Sequence, residues 1–231
     1  NNSDVLKYLE VYSEISDNVK KSSKDLIKVL KNNNEILDDK DVRNMASLIR
    51  EKETLAATRF VGIPDSNVHF LKLPFYETGT VKKMSPSNSD IKIMIDIIKK
   101  IKPHQIYAAG DLADPHGTHK VCLDVLFDVL ELVKKKSYMK NCWVWLYRGA
   151  WHEWEVHDID MSIPMSPNQV LNKRKAIFYH QTQKDNVMFQ GDDNREFWVR
   201  TEDRNRAIAK DFRDLGMSDY SAIETFKRHY F

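Results

Sequence analysis

Two short apolar runs separated by an amphipathic stretch constrain the fold of this chain more than any other feature. Gln105–Ala109 and Cys142–Tyr147 have the apolar and aromatic composition of buried strands. Between them, the spacing of apolar side chains over Lys120–Val133 predicts a helix. A strand, a helix and a strand at these intervals predict a β-α-β unit with parallel strands and a right-handed crossover.

Further segments extend this pattern into an α/β fold, a sheet flanked by helices. Val68–Leu73 is the first predicted strand, and the helix predicted over Ser89–Pro103 leads into the strand at Gln105. The remaining predicted elements are helices within 4–30 and over 41–60, an edge strand within 158–164, and helices over 166–183, 195–215 and 220–230.

Composition excludes several classes of protein. With 36 Lys and Arg against 34 Asp and Glu in 231 residues, the chain lacks the basic excess of a general nucleic-acid binder. Its length favours a single domain. Cys122 and Cys142 are predicted to be small buried hydrophobes, and no apolar run reaches the ~20 residues of a membrane span. These features predict a reduced, cytoplasmic location.

The turn between the first strand of the β-α-β unit and its helix concentrates ionisable groups. It contains Asp111, Asp114, His116 and His119. In an open α/β sheet this turn lies at the carboxyl edge of the strand, where ligands bind. At a spacing of three residues the two imidazoles lie on one side of a helical turn, so they can bind a metal, contact a substrate or divide these tasks. Asp111 and Asp114 can orient either ring. Alternatively, His116 decorates the helix start and His119 packs on the sheet.

Three stretches give the chain a family resemblance. Asp114–His119 resembles the D-P-H-P-D-H segment of the PIG-L/LmbE family of zinc-dependent de-N-acetylases. Arg50–Glu53 with the following Ala56, Ala57 and Gly62 resembles the family's R-x-x-E helix end, and Lys175–Gln183 resembles its K-A…H-x-S-Q helix. The likeness is greatest to a branch in which the domain is the C-terminal half of bacterial glucosamine-6-phosphate deaminase-like proteins, and it covers nearly the whole chain.

This resemblance implies a Rossmann-like, mainly parallel sheet and removal of an acetyl group from an N-acetylglucosamine derivative. It implies that His119 is a zinc ligand and that His116 stabilises the substrate carbonyl as it becomes an oxyanion. Zinc supplies activated water and Lewis acidity in such amide hydrolysis.

Three residues are candidate substrate contacts. Arg148 and Arg50 can bind an anionic group of the sugar, such as a phosphate, although a helix-surface salt bridge is the alternative for Arg50. Trp151 is the candidate platform for the sugar ring. The aromatic side chains of Trp143, Trp145 and Tyr147 are predicted to lie on one face of their strand. They can stack on a sugar, or they can pack in the core or at an interface.

Two departures from the family pattern matter. Thr118 stands where the family has an aspartate, so the partner that tunes the proton of His116 is either missing or supplied by Asp111 or Asp114. The A-H-P-D-D segment, which supplies the family's other ligands and its base, has no counterpart in the sequence. Since catalytic zinc normally takes three protein ligands, we expect a fragment of a longer protein that lacks its first strands, with a helical C-terminal extension. The alternative is a degenerate site.

These expectations leave two functions open. One is a zinc-dependent deacetylase of an amino sugar. The other is a catalytically incomplete sugar-binding or regulatory domain beside a deaminase domain. Expected partners are a small amino sugar and a fused or adjacent deaminase domain, with self-association into a homo-oligomer as a further option and neither nucleic acid nor membrane.

Overall fold

The computed structural model describes residues 40–76, 84–110, 117–149, 153–185 and 193–231. Its contacts divide the chain into two compact units. Of the described residues, the first unit contains 40–70 and 179–182. The second contains the described parts of 71–76, 83–178 and 183–231. The predicted helices within 4–30 lie outside the described residues.

The first unit is built on helix α1, Lys40–Phe60, which confirms the helix predicted from residue 41. Glu53, although only 3% exposed, accepts hydrogen bonds from the backbone N and the Oγ1 of Thr182, both at 2.8 Å. The ring centroids of Phe60 and Tyr179 lie 5.3 Å apart. These contacts join the end of the R-x-x-E stretch to the H-x-T-Q stretch, far apart in sequence.

The strand predicted over 68–73 does not form. Lys72 has a φ of +49°, in the left-handed region that an extended strand excludes. Just after this segment, the buried backbone N of Phe75 donates a hydrogen bond to Oδ1 of Asp90 at 2.9 Å. The segment is therefore irregular, despite its apolar alternation.

The second unit contains a four-stranded sheet of β1 (Gln105–Ala109), β2 (Trp143–Tyr147), β3 (Met161–Met165) and β4 (Ala222–His229), in the order β1-β2-β4-β3. The β1/β2 pair is parallel, as predicted from the sequence. Strand β4 runs antiparallel to both β2 and β3. The described part of the sheet is therefore mixed, and the expectation of a mainly parallel sheet was wrong for it.

Four helices accompany this sheet: α2 (Asn88–Ile101), α3 (Thr118–Val133), α4 (Pro167–Phe178) and α5 (Phe197–Asp214). All four were predicted, although α4 ends five residues before the predicted Gln183. Helices α2 and α3 share one apolar core with the sheet. Its buried members include Ile98, Leu123, Val129, Leu130, Val144 and Leu146.

The start of α2 shows how local sequence fixes this packing. Ser87 and Asp90 form a capping box, in which the Ser87 backbone N and Oγ donate to Oδ2 of Asp90 at 2.8 and 2.7 Å. Burial alone would raise the pKa of Asp90, but the hydrogen bonds from Phe75 and Ser87 hold it below its ordinary value. The carboxylate thus ties the helix start to the preceding loop.

The largest correction concerns the end of the described sequence. The helix predicted over 220–230 is strand β4, so a helical C-terminal extension was the wrong expectation. Ala222, Ile223 and Thr225 are each at most 2% exposed because β4 lies between β2 and β3. Glu224 on this strand is paired with Lys173 of α4 and Arg204 of α5.

The expected α/β architecture is otherwise confirmed: helices flank a sheet that includes the predicted β-α-β unit. The edge strand predicted within 158–164 is β3, which lies at one end of the described sheet. Among the described residues, no helix is both long and apolar enough to cross a membrane.

Candidate functional site

The parallel pairing of β1 and β2 brings their carboxyl ends together. Ala109 is paired with Tyr147, so Gly110 and Arg148, the residues that follow, are neighbours. The backbone N of Gly110 donates to the carbonyl of Tyr147 at 2.7 Å. Nη1 of Arg148 lies 3.4 Å from the carbonyl oxygen of Gly110. At the edge predicted to bind a ligand, Arg148 therefore lies beside Gly110, the residue that directly precedes Asp111 in the sequence.

Gly110 occupies a position that accepts no larger residue. A Cβ added there would lie 2.7 Å from Cβ of Leu146 and 3.0 Å from Cζ2 of Trp154. The indole is itself fixed, because Nε1 of Trp154 donates to the carbonyl of Leu146 at 3.2 Å. The absence of a side chain at Gly110 thus lets the chain pass between β2 and the indole before it continues into Asp111.

His119 is the second residue of α3. The helix begins after Gly117, whose φ of +69° suits glycine, and the backbone N of Val121 bonds to the Gly117 carbonyl at 2.9 Å. The His119 side chain is exposed, so it is accessible to a metal or a substrate. The strand and the helix predicted on either side of the turn are thus both present as β1 and α3, whereas residues 111–116 between them lie outside the described residues.

The structure places the other candidates as follows. Arg148 and His119 both lie in the second unit, one after β2 and one at the start of α3. Arg50 lies on α1 in the first unit, half-buried. The remaining candidates lie outside the described residues: Asp111, Asp114, His116 and Trp151.

A complete metal site is not found among the described residues, which contain no group of three or more His, Cys, Asp and Glu side chains suited to a metal. His119 is the candidate ligand among them. This does not reach the three protein ligands typical of catalytic zinc. The described residues alone therefore do not fit a zinc ion.

A buried charged network connects several elements of the second unit, and no sequence pattern indicated it. Nζ of Lys173 and Nη2 of Arg204 each lie 2.6 Å from the carboxylate of Glu224. Arg204 also pairs with Glu153, which accepts from Oγ1 of Thr225 at 2.7 Å. The network joins α4, α5 and β4 to the residue that precedes Trp154.

Glu224 is the carboxylate at the centre of this network, and its pKa reflects both its burial and the cations paired with it. Burial by itself would raise the pKa of Glu224, but Arg204 and Lys173 hold it below its ordinary value. The side chain of Arg204 is only 8% exposed and bonds two carboxylates. Sequence reasoning missed these residues because the pattern over 195–215 indicated only a charged helix. Their spacing along the helix carries no signal for partners 20 and 51 residues away.

Comparison with known proteins adds a relative in sequence. The chain is 43% identical over 228 residues, 98% of its length, to a glucosamine-6-phosphate deaminase-like protein of Bacteroides thetaiotaomicron. The match spans 33% of that protein, so the chain corresponds to about a third of its relative. No family model matches the chain.

Solved structures with a similar fold have low sequence identity. The N,N'-diacetylchitobiose deacetylase of Pyrococcus horikoshii has a TM-score of 0.51 at 18% identity over 80% of this chain and 65% of its own. A deacetylase of teicoplanin biosynthesis has a TM-score of 0.50 at 16% identity, over 80% and 74%. The hydratase GalB of Pseudomonas putida reaches 0.55 at 14%, over 81% and 74%.

Since GalB catalyses a different reaction, these structures establish the fold and leave the reaction open. The resemblance drawn from the sequence is nevertheless confirmed by the two comparisons together. The chain is a relative of one third of a glucosamine-6-phosphate deaminase-like protein, and its fold is that of the PIG-L/LmbE-type deacetylases.

Proposed function

We propose that this chain is part of a zinc-dependent hydrolase that removes the acetyl group from an N-acetylglucosamine derivative, including a phosphorylated one. The observation that supports it best is the edge formed by Gly110 and Arg148, followed by α3 with His119 at its start. In the sequence, the D-P-H-x-x-H segment lies between Gly110 and this helix. Deacetylases among the structural neighbours, and the amino-sugar name of the sequence relative, agree with it.

In this proposal each candidate has a distinct role. His119 is a metal ligand, and His116 stabilises the oxyanion that develops on the amide carbonyl. Asp114 and Asp111 set the protonation of His116, because Thr118 replaces the family's aspartate. When bound, zinc supplies Lewis acidity and a water of lowered pKa. The remaining ligands and the base come from other parts of the intact protein.

Substrate recognition is assigned to three of the candidate residues. Trp151 offers a flat apolar surface for the sugar ring. Arg50 and Arg148 are the candidates for an anionic substituent, since a guanidinium can form two parallel hydrogen bonds to a phosphate. The proposed location is cytoplasmic, beside a deaminase domain of the same protein.

A second function is favoured by Thr118. Without the aspartate next to His119, the chain can serve as a sugar-binding or regulatory domain that has lost catalysis. This alternative expects the intact protein to bind a sugar phosphate without releasing acetate and without stoichiometric zinc.

The deciding experiment measures zinc content and acetate release with the intact protein. Purified protein is analysed for zinc and incubated with N-acetylglucosamine and N-acetylglucosamine 6-phosphate. We expect about one zinc per site, acetate release, and loss of both in His119→Ala. The matched control is His104→Ala, which changes an exposed histidine just before β1, at the opposite end of the strand. A zinc-loaded protein that releases no acetate from either sugar contradicts the proposal.

A further inference from the structure

Arg148 lies against an aromatic ring at the carboxyl edge. Its Cζ lies 3.9 Å from the ring centroid of Trp154, a close cation–π arrangement, while Nη1 points to the Gly110 carbonyl at 3.4 Å. Two directions of the guanidinium are thus used within the protein, one through its face and one through its edge. A planar guanidinium can do both at once, which an ammonium cannot.

Two hydrogen bonds, one from the indole and one from the backbone, hold Trp154 beneath Arg148. Nε1 of Trp154 donates to the Leu146 carbonyl at 3.2 Å, and its backbone N donates to Oε1 of Glu153 at 2.9 Å. Glu153 is in turn held by Thr225 and by Arg204 of the buried network. Trp154 itself is only 9% exposed. The indole is therefore a fixed surface rather than one that adjusts to a ligand.

Gly110 completes the cluster. A Cβ added to Gly110 would lie only 3.0 Å from the indole, the carbonyl of Tyr147 accepts a hydrogen bond from its backbone N, and the guanidinium of Arg148 lies at its carbonyl. The backbone N and the carbonyl of Gly110 are thus contacted by Tyr147 and Arg148. Trp154 covers the side on which a side chain would project. In the sequence, Gly110 directly precedes Asp111, the first ionisable residue of the motif.

We propose that Arg148 and Trp154 are positioning residues that fix Gly110 and so set where the Asp111–His119 motif begins. This role replaces the substrate contact considered above for Arg148, because its guanidinium contacts the protein's own backbone at Gly110. This inference rests on the proposed hydrolase only in its kinetic consequence. A site held by such a clamp loses turnover when the clamp is loosened, because small misplacements of reacting groups cost about 100-fold in rate.

The test replaces Arg148 in the intact protein and follows acetate release together with hydrogen exchange of the Gly110 amide. We expect Arg148→Met to lower kcat by about 100-fold with little change in KM, and to accelerate exchange at Gly110. Arg148→Lys keeps a cation over the ring without the fork, so it restores part of kcat. Trp154→Phe reduces the cation–π contact and lies between the wild type and Arg148→Met.

The control is a second arginine stacked on a tryptophan in the same sheet. Cζ of Arg228 lies 3.6 Å from the ring centroid of Trp143, at the opposite end of β2. Arg228→Met is expected to leave kcat, KM and Gly110 exchange unchanged. A higher KM at constant kcat in Arg148→Met overturns the inference and assigns Arg148 to the substrate. Unchanged Gly110 exchange overturns it whether or not the protein releases acetate, which separates this test from that of the proposed hydrolase.

Discussion

The two ends of β2 carry the same pair of residues in different surroundings. At the amino end, Arg228 stacks on Trp143, which is 43% exposed. At the carboxyl end, Arg148 stacks on Trp154, which is 9% exposed. The carboxyl-end pair also touches the neighbouring strand at Gly110 and is supported by Glu153. The same arginine–tryptophan stack is thus exposed at the amino end of the strand, and buried and in contact with further residues at the carboxyl end.

The largest difference between the two ends is expected when each tryptophan is removed. Trp154→Ala should lower the free energy of unfolding by about 3–5 kcal/mol, because it leaves a cavity beside Gly110 and Leu146. Trp143→Ala should cost about 1 kcal/mol, since much of that ring already contacts water. Urea unfolding followed by circular dichroism measures both. Equal losses would show that burial does not distinguish the two ends.

A smaller effect is expected from adding a methyl group to Gly110. In Gly110→Ala the new Cβ meets Leu146 and Trp154, so overpacking should cost about 1–3 kcal/mol. Gly117→Ala is the matched control: a Cβ there meets no atom within 4 Å, and only the φ of +69° opposes it. That backbone strain costs about 1–2 kcal/mol. If Gly110→Ala is neutral, the close approach of the indole is not rigid.

The smallest expected effect is on how the free energy of unfolding depends on pH, which should differ between groups at the two ends. At the amino end, burial lowers the pKa of His229 below its ordinary 6.5, against the opposing charge of Glu131. Protonation then favours the unfolded chain, so stability should fall as the pH drops below about 6.5. Behind the carboxyl end, Glu224 is an anion held below its ordinary pKa of 4.5 by Arg204 and Lys173, despite its burial. Its contribution is complete above pH 4.5 and declines only in more acidic solution.

Unfolding free energies measured between pH 7 and pH 3 test this order. His229→Gln should flatten the curve above pH 5 and leave the acidic part intact. Glu224→Gln should do the reverse after an overall loss, since it leaves Arg204 and Lys173 with a weaker partner. A His229→Gln curve parallel to that of the wild type would exclude the imidazole as the first group to respond.

Sequence patterns predicted the parts of this structure that are local. Strand β1, strand β2 and helix α3 follow from apolar runs and helical spacing, and the strand–turn–helix around His119 follows from them. Strand β4 was mistaken for a helix, because the strands it pairs with and the partners of its Glu224 and Lys227 are distant in sequence. Their charges are balanced by Lys173 and Asp158, 51 and 69 residues away.

In the candidate site, too, residues that depend on local sequence were predictable and residues that depend on distant contacts were not. His119 and Arg148 were identifiable from the motif and the strand end, since both depend on neighbouring sequence. Trp154 was not, because its importance comes from Gly110 and Leu146 on other segments. A glycine directly after a buried strand was the one available signal of a close approach, and it names no partner.

The position of β4 has a consequence for the order of folding. Among the described strands, Ala222–His229 is the last to be synthesised, yet it lies between β2 and β3. While the ribosome still holds this segment, β2 lacks one neighbour and β3 has no partner among the described strands. A nascent chain at that stage presents an unpaired strand edge, the kind of surface on which misassembly and chaperone capture begin.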